Sequence, residues 1–168
     1  TLYVGQNKKE KGKTAPAIPK AVQSYLSDTS SFSPEWSGSI LRMLPESARD
    51  ASPLLREHLR ILSAGICIGE TKGKDFIPAE ELALSTALCP EAFPMADLDW
   101  DDAIRYLKKE ALLLPAGTEK GYVLVRYKKF PLGFTKHLGN RANNLYPQEW
   151  RIRTGYVPEQ VKTMLSLL

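Results

Sequence analysis

Apolar residues recur with helical spacing between residues 97 and 114. The stripe consists of Trp100, Ile104, Leu107 and Ala111. Side chains three or four positions apart lie on one face of an α-helix, so this pattern predicts an amphipathic helix. Asp99 stands where an N-cap is expected, and basic residues follow late in the segment, where cations are favoured.

Leucines with the same spacing predict another helix after Pro53, a residue that fits the first turn of a helix. The stripe consists of Leu54, Leu55, His58, Leu59 and Leu62, and the helix is expected to reach about residue 60. Shorter helices are predicted at 20–26 and 78–88. Residues 157–168 also carry helical spacing and are expected to form a closing helix or a frayed tail.

Alternation of apolar and polar residues predicts the strands. We expect a strand at 39–44, a hairpin across 62–78 that turns at Thr71–Lys74, and paired strands at 122–127 and 130–137. Residues 28–39 are rich in Ser and are expected to form a loop, with Trp36 as a packing anchor.

The two faces of the last strand pair are expected to differ. The side chains predicted to face the core are Val123, Val125, Tyr127, Leu132 and Phe134. The opposite faces are predicted to show Arg126, Lys128, Lys136 and Thr135. Residues 139–147 are rich in Gly and Asn, which favour tight turns, so no regular strand is expected there.

The composition is that of an ordinary globular protein. The 168 residues are 43% hydrophobic and 25% charged, which suits one medium domain or two small ones. The polar, Lys-rich residues 1–17 are expected to form a flexible lead-in. The chain does not begin with Met, which suggests a fragment.

Positive charge is concentrated in one segment. Residues 119–153 hold eight Lys/Arg and two Asp/Glu, a local charge of +6, whereas the other residues hold 15 and 17 and sum to −2. A basic segment with interleaved aromatic and amide side chains is typical of a nucleic-acid surface. A solvated strand face with helical caps is the alternative explanation.

The sequence offers no set of residues that would carry out catalysis. The two histidines and two cysteines, His58, His137, Cys67 and Cys89, lack the spacing of a zinc site. The Gly-rich residues 69–74 are one residue short of a phosphate-binding loop and read as a hairpin turn. No apolar run approaches the length of a membrane span, so a cytoplasmic protein without membrane or metal partners is expected.

Residues 131–153 read PLGFTKHLGNRANNLYPQEWRIR. This string resembles the C-terminal signature of the RsmF-type branch of the Sun family, the rRNA cytosine-5 methyltransferases. The upstream segments LRILSAGICIGETKGKDFIP, DWDDAIRYLKKEALLLP and GYVLVRYK follow in the same order as in that family. The resemblance therefore extends over Leu59 to Arg153.

The resemblance implies an α+β fold in two parts. A linking α/β subdomain is expected at 18–90, followed by a PUA-like β-barrel subdomain at 91–168. The family's catalytic domain, with its S-adenosylmethionine site and two cysteines, has no counterpart here, since Cys89 matches neither cysteine motif. We therefore expect no catalysis and no cofactor in this chain, only in its longer parent.

The implied function is RNA binding that positions small-subunit rRNA for methylation of a cytosine. The expected partners are that rRNA and the parent's own N-terminal methyltransferase domain. The predicted RNA contacts are Lys136, Asn140, Arg141, Asn143, Asn144, Tyr146, Arg151 and Arg153. Peripheral phosphate contacts are predicted for Arg126, Lys128 and Lys129.

The alternative is a structural role for the same residues. The turn at 139–147 would then be a clasp, and the domain would pack on the methyltransferase domain without touching RNA. Exposure distinguishes the two hypotheses. Exposed Arg141, Arg151 and Asn144 would favour RNA binding, and the same residues buried in mutual hydrogen bonds would favour the clasp.

Overall fold

The computed structural model describes residues 18–155, which form two four-stranded sheets joined by short helices. This arrangement confirms the mixed content of helices and strands. The helices are α1 (Lys20–Gln23), α2 (Ala51–His58), α3 (Glu80–Ala83) and α4 (Trp100–Leu107), with single 3-10 turns at Glu46–Ala48 and Pro90–Ala92. The strands are β1 (Phe32–Ser37), β2 (Ile40–Pro45), β3 (Ile66–Lys72), β4 (Asp75–Pro78), β5 (Met95–Leu98), β6 (Gly121–Tyr127), β7 (Phe130–His137) and β8 (Ala142–Asn144).

The first sheet runs in the order β1-β2-β3-β4, and every neighbouring pair is antiparallel. The predicted strand near residue 40 and the predicted β3–β4 hairpin are confirmed. Gly73 lies in the turn of that hairpin with φ 63°, a conformation that glycine adopts without steric cost.

Strand β1 corrects the prediction of a loop at residues 28–39. It pairs with β2 from Phe32↔Pro45 to Ser37↔Ile40. Phe32 and Trp36 pack against the core, so the predicted anchoring role of Trp36 is confirmed. Pro34 fits because β1 is an edge strand, where a missing N–H is tolerated.

The second sheet runs in the order β5-β6-β7-β8. Strands β5 and β6 are parallel and are connected through α4, and the other two pairs are antiparallel. The sheet is open across the described residues, so the predicted barrel is not confirmed. Strand β8 also corrects the expectation that residues 139–147 hold no regular strand: Thr135↔Asn144, Lys136↔Asn143 and His137↔Ala142 are paired.

Both faces of the second sheet are buried, each in a different apolar cluster. Val123 and Val125 of β6 lie in the cluster beneath α4. Leu124 between them lies in the cluster that the first sheet also forms, together with Phe134 of β7. Thr135 is fully buried, so the prediction that it lies on an exposed face is wrong. The reason is that a sheet covered on both sides loses the apolar–polar alternation of a half-exposed sheet.

The two sheets therefore share one core. Phe93 stacks on Phe134 with ring centroids 4.7 Å apart, and on Tyr25 of the N-terminal part at 4.4 Å. The shared cluster also contains Leu41 and Ile68 of the first sheet. The domain boundaries that we predict at residues 17 and 90 remain a prediction.

Helices α1, α3 and α4 are shorter than the apolar patterns predict, whereas α2 at Ala51–His58 confirms the helix predicted around Pro53. Asp99 caps α4 as predicted, accepting from the Asp102 N–H at 2.8 Å. That helix ends at Leu107, because Lys109 adopts φ 64° and leaves the helical path. Helices α1 and α3 each span four residues instead of the whole predicted segments. The predicted lead-in 1–17 and closing helix 157–168 lie outside the described residues.

Candidate nucleic-acid interface

Two cations of the basic segment are bound by one carboxylate. Arg126 contacts Asp97 through Nε and Nη2 at 3.0 and 2.9 Å, and Lys129 contacts the same carboxylate at 2.8 Å. The nearby Lys129 and Arg126 lower the pKa of Asp97. Both cations were predicted as peripheral phosphate contacts, and the structure places them in an ion-pair cluster at the β5–β6 edge. The third, Lys128, is exposed and lies 5.5 Å from the Tyr127 ring centroid.

Lys136 lies where the two sheets meet. Its ammonium contacts the Asp75 carboxylate at the end of the β3–β4 turn, and the Tyr122 hydroxyl donates to the same carboxylate at 2.9 Å. The hydrogen bond from Lys136 lowers the pKa of Asp75. One side chain of the basic segment thus joins the second sheet to the first, although it was predicted to contact RNA.

Asn144 acts as a clasp on the chain that follows α4. Its side-chain amide donates to the Tyr106 carbonyl at 2.8 Å and to the Glu110 carbonyl at 3.0 Å. Its carbonyl oxygen accepts from the Tyr146 N–H at 2.9 Å. The amide nitrogen and the carbonyl oxygen of the Asn144 side chain are thus both hydrogen-bonded within the protein. The contacts are those of the structural alternative, although we predicted an RNA contact.

Tyr146 is half-buried in an aromatic stack. Its ring meets Tyr106 edge-on at a centroid distance of 5.3 Å and meets Trp150 at 6.4 Å. The Lys109 ammonium donates to the Tyr146 carbonyl. Trp150 at the outer end of the stack is 48% exposed, so about half of this aromatic side chain is accessible to solvent.

Three predicted contacts are exposed at or next to the turn between β7 and β8. Asn140 and Arg141 lie in the turn and Asn143 lies in β8, and Arg141 has no ion-pair partner among residues 18–155. Gly139 in this turn has φ 106°, and a Cβ there would come within 2.8 Å of Lys120 Cε. The exposed Lys120 therefore lies beside the turn, a contribution that the sequence pattern did not indicate.

The remaining two arginines line an open groove at the end of α4. The groove has a volume of about 400 Å³ and is formed by Lys108, Glu110, Arg151, Ile152, Arg153, Thr154 and Gly155. Lys108 was not predicted to contribute. Lys108 is the C-cap of α4, because the helix ends at Leu107 and not further along the chain as predicted. Three cations against one carboxylate make this groove positive.

The turn and the groove flank one short segment. The Ile152 N–H donates to the Leu107 carbonyl at 2.9 Å, and the Ala142 N–H donates to the Leu112 carbonyl at 3.3 Å. Residues 142–152 are thus fastened to both ends of segment 107–112. We call the cations on its two sides the cationic surface: Lys108, Lys120, Arg141, Arg151 and Arg153.

A buried carboxylate lies where α3 meets α4 and β7. Glu80 Oε2 is 3.1 Å from the Tyr106 hydroxyl, which is also 3.2 Å from the Phe134 carbonyl. Burial raises the pKa of Glu80 to about 7 and also raises the pKa of Tyr106. Gly133 makes room for the pair, because a Cβ there would lie 2.2 Å from both Glu80 carboxylate oxygens.

Other chemistry receives no support from the described part of the chain. Residues 18–155 contain no group of three His, Cys, Asp or Glu side chains that could hold a metal ion. Cys67 and Cys89 are free thiols, His58 is exposed, and His137 Nδ1 lies 3.1 Å from the Glu119 carbonyl. No helix within this range has the length and apolar character needed to cross a membrane.

Comparison with known proteins supports the resemblance seen in the sequence. Residues 94–152 match the family described as the Methyltransferase RsmF PUA domain. The chain is also 31% identical, over 111 residues, to the ribosomal RNA small subunit methyltransferase F of Shewanella baltica (strain OS195). That match spans 63% of this chain and 23% of the relative. The resemblance to the PUA-like C-terminal region of RsmF-type methyltransferases is therefore confirmed.

Proposed function

We propose that this chain is the RNA-binding module of a methyltransferase that modifies a cytosine of small-subunit rRNA. One observation carries the proposal: seven of the eight cations of the basic segment fall into two sets, and the exposed Lys128 at the β6–β7 turn belongs to neither. Arg126, Lys129 and Lys136 are neutralised by carboxylates within the fold. The cationic surface, in contrast, has no ion-pair partner among residues 18–155 and stays available to a polyanion.

The chemistry of the exposed side chains matches an RNA strand. Guanidinium groups suit phosphate because they present several donors in a fixed plane, so Arg141, Arg151 and Arg153 would hold the backbone. Asn140 and Asn143 beside them would reach ribose hydroxyls or base edges. Trp150 offers an exposed face on which an unpaired base could stack.

The module would contribute binding energy to a reaction performed elsewhere. In the proposed parent protein, S-adenosylmethionine supplies the methyl group in a separate catalytic domain. Taking a cytosine out of its stack costs a few kcal/mol. Contacts made by the cationic surface to the flanking RNA would offset that cost and fix the position of the target. Such a substrate places the proposed protein in the cytoplasm, with the ribosomal subunit.

Salt dependence of RNA binding tests the proposal. Each phosphate contact contributes about 0.7–0.9 to the slope of log K against log salt concentration. We expect the chain to bind small-subunit rRNA fragments with a slope that falls by about 2 to 3 when Arg141, Arg151 and Arg153 are all changed to Ala.

The matched control changes three other exposed lysines, Lys20, Lys72 and Lys74, to Ala. This variant carries the same change of charge, and its slope should stay close to that of the unaltered chain. If both triple variants weaken binding equally, attraction is a property of net charge and the cationic surface is not a site. If the chain does not bind rRNA, the proposed function fails.

The alternative hypothesis, a structural role, still applies to three residues of the basic segment. Asn144 and Lys136 use their polar groups within the fold, and Tyr146 packs on Tyr106. These three side chains would act as a scaffold, whereas Arg141 and Arg151 are exposed and free to bind. We therefore propose that the two roles are divided between neighbouring residues of one segment.

A further inference from the structure

A single carboxylate lies in the positive groove at the end of α4. Glu110 lines this groove together with Lys108, Arg151 and Arg153, and its side chain is exposed. It forms no ion pair with these cations or with any other cation of residues 18–155. None of the four charged groups is therefore neutralised by another residue of the groove.

The backbone of Glu110 is anchored on two sides. Its N–H donates to the Arg105 carbonyl at 2.9 Å, and its carbonyl accepts from the Asn144 side-chain amide at 3.0 Å. The part of the groove formed by residues 151–155 is attached to the same helix end, because the Ile152 N–H donates to the Leu107 carbonyl at 2.9 Å. The carboxylate and the arginines are thus carried by two segments that are fastened to each other.

A carboxylate is unexpected in a groove that only holds an RNA backbone, because like charges repel and Glu110 would weaken the attraction for phosphate. An ionised carboxylate has only hydrogen-bond acceptors. The groups of an RNA strand that Glu110 can bind are therefore the donors, which are the ribose hydroxyls and the N–H groups of the bases.

Guanine has the base edge that matches a carboxylate best. Its Watson–Crick edge presents two adjacent donors, N1–H and the N2 amino group, which the two oxygens of one carboxylate can accept together. The corresponding edges of adenine, cytosine and uracil place an acceptor next to a donor, so one carboxylate oxygen would face another lone pair. Only an unpaired guanine can be bound in this way, because base pairing occupies the same edge.

The groove has room for one nucleotide. Its volume of about 400 Å³ falls within the range of about 300–1,000 Å³ that is usual for pockets that hold small ligands. The guanidinium groups of Arg151 and Arg153 suit the phosphate of that nucleotide. Ile152 between them lines the groove and supplies an apolar surface for the base. The groove thus offers a contact for each part of a guanosine nucleotide.

We propose that Glu110 selects an unpaired guanosine of the bound RNA. This inference rests on the proposed function, because it concerns a base of the strand whose phosphates the cationic surface holds. The cations would supply affinity for any RNA sequence, since phosphates carry no sequence information. Glu110 would supply the preference for one base.

Unpaired oligonucleotides that differ in one base test the proposal. The probe is a uridine strand of about ten nucleotides with one guanosine at its centre, a length typical of single-strand binding sites. The same strand is prepared with adenosine or with inosine at that position. We expect the guanosine strand to bind about tenfold more tightly than the adenosine strand. The inosine strand should be intermediate, because inosine keeps N1–H but lacks the N2 amino group.

The Glu110→Gln variant should abolish the preference for guanosine, because a side-chain amide offers only one acceptor atom. This variant also removes a negative charge from the groove, so it should bind every strand more tightly. The ratio of the affinities for the guanosine and adenosine strands therefore separates base selection from a purely electrostatic role. The matched control, Glu149→Gln, makes the same change of charge at an exposed residue outside the groove and should keep the preference.

Three results would overturn the selection of guanosine. The first is equal affinity of the unaltered chain for the guanosine and adenosine strands. The second is a preference that persists in the Glu110→Gln variant. The third is a chain that binds fragments of small-subunit rRNA but binds none of the unpaired strands. Each of these results leaves the proposed function in place, because binding of the rRNA fragments is measured on the same protein. A chain that binds neither kind of RNA would refute both proposals.

Discussion

The two halves of the molecule contain the same number of strands but present opposite chemistry to solvent. The half built on β1–β4 exposes leucines around α2, whereas the half built on β5–β8 exposes arginines and asparagines around the end of α4. The two halves nevertheless share one apolar cluster. Two halves that share a core can therefore present different surfaces to their partners. The reason is that binding residues lie on turns and connecting segments, and the core only holds these in position.

The difference in surface chemistry follows from how the faces of each sheet are covered. Both faces of the second sheet are buried, so its strand side chains are taken up by packing. Its exposed polar groups lie at the β5–β6 edge, at the β6–β7 and β7–β8 turns and in the segment after β8. In the first half, the edge strand and α2 stay at the surface, and the apolar residues of α2 remain uncovered. The predictions below test how far the two halves depend on each other.

The largest effect is expected at Gly133, where the halves meet. Changing Gly133 to Ala would place a Cβ 2.2 Å from the Glu80 carboxylate oxygens and 2.1 Å from the Tyr106 hydroxyl. The residue also adopts φ 151°. Overpacking of this kind should lower the free energy of unfolding by about 3 kcal/mol or more, as measured by urea denaturation. A Gly155→Ala control, where nothing lies within 4 Å, should change it little.

A similar effect is expected from the pH dependence of Glu80. Its pKa is raised from 4.5 to about 7 in the folded state by burial. Between these values the folded state binds more protons than the unfolded state, so stability is highest below pH 4.5 and falls as pH rises towards 7. The loss attributable to this group should be about 3 kcal/mol.

The Glu80→Gln variant should remove this component from a series of unfolding curves between pH 4.5 and 8. Changing the exposed Glu91 to Gln should leave the pH dependence as it was. A curve of the same slope in the Glu80→Gln variant would show that the buried carboxylate is already ionised at low pH and that the junction tolerates its charge.

A smaller effect should separate the clasp from the RNA-binding residues. Asn144→Ala removes hydrogen bonds to Tyr106, Glu110 and Tyr146, and should cost about 2 kcal/mol of stability. The neighbouring Asn143 is exposed, so Asn143→Ala should cost less than about 0.5 kcal/mol. RNA affinity of the folded variants should show the reverse order, with Asn143→Ala the weaker binder. Equal RNA affinity would contradict the division of roles within this segment.

The smallest effect concerns single cations in RNA binding. Arg141→Ala should reduce the salt slope by about 0.7–0.9, because one phosphate contact is lost. Arg126→Ala should change the slope by less, since Arg126 is already paired with Asp97. If Arg126→Ala has the larger effect, the RNA lies along the β5–β6 edge instead of the cationic surface.

Much of this fold follows from the sequence pattern. The helix that begins at Trp100, its Asp99 cap and the β6–β7 pair are local features, so the chain itself specifies them. The predicted stripe is not the buried face of that helix, because Ala103 and Tyr106 are buried whereas Ala111 is exposed and lies beyond the end of the helix. Strand β1 was missed because its only large apolar residues, Phe32 and Trp36, are separated by polar residues and Pro34. The double burial of β6 and β7 was missed because it depends on a sheet that lies far away in the sequence.

The sequence predicted which types of residue form the candidate site, but it did not predict how they are arranged. The net charge of residues 119–153 does not indicate which cations meet carboxylates, because Asp75 and Asp97 lie in other segments. Lys136 was therefore predicted as an RNA contact, although it joins the sheets. The contribution of Lys108 depends on where α4 ends, and that position is set by the backbone of Lys109.

The parallel pairing of β5 with β6 has a consequence for the order in which the protein folds. Strands β1 and β2 form contacts such as Trp36↔Leu41 over a few residues, and this hairpin can close early during synthesis. Met95 pairs with Leu124, so β5 leaves the ribosome well before its partner strand β6. It stays unpaired while α4 and the following loop are synthesised. Nascent chains that stop before β6 should therefore hold a formed first hairpin and an unpaired β5 that chaperones can recognise.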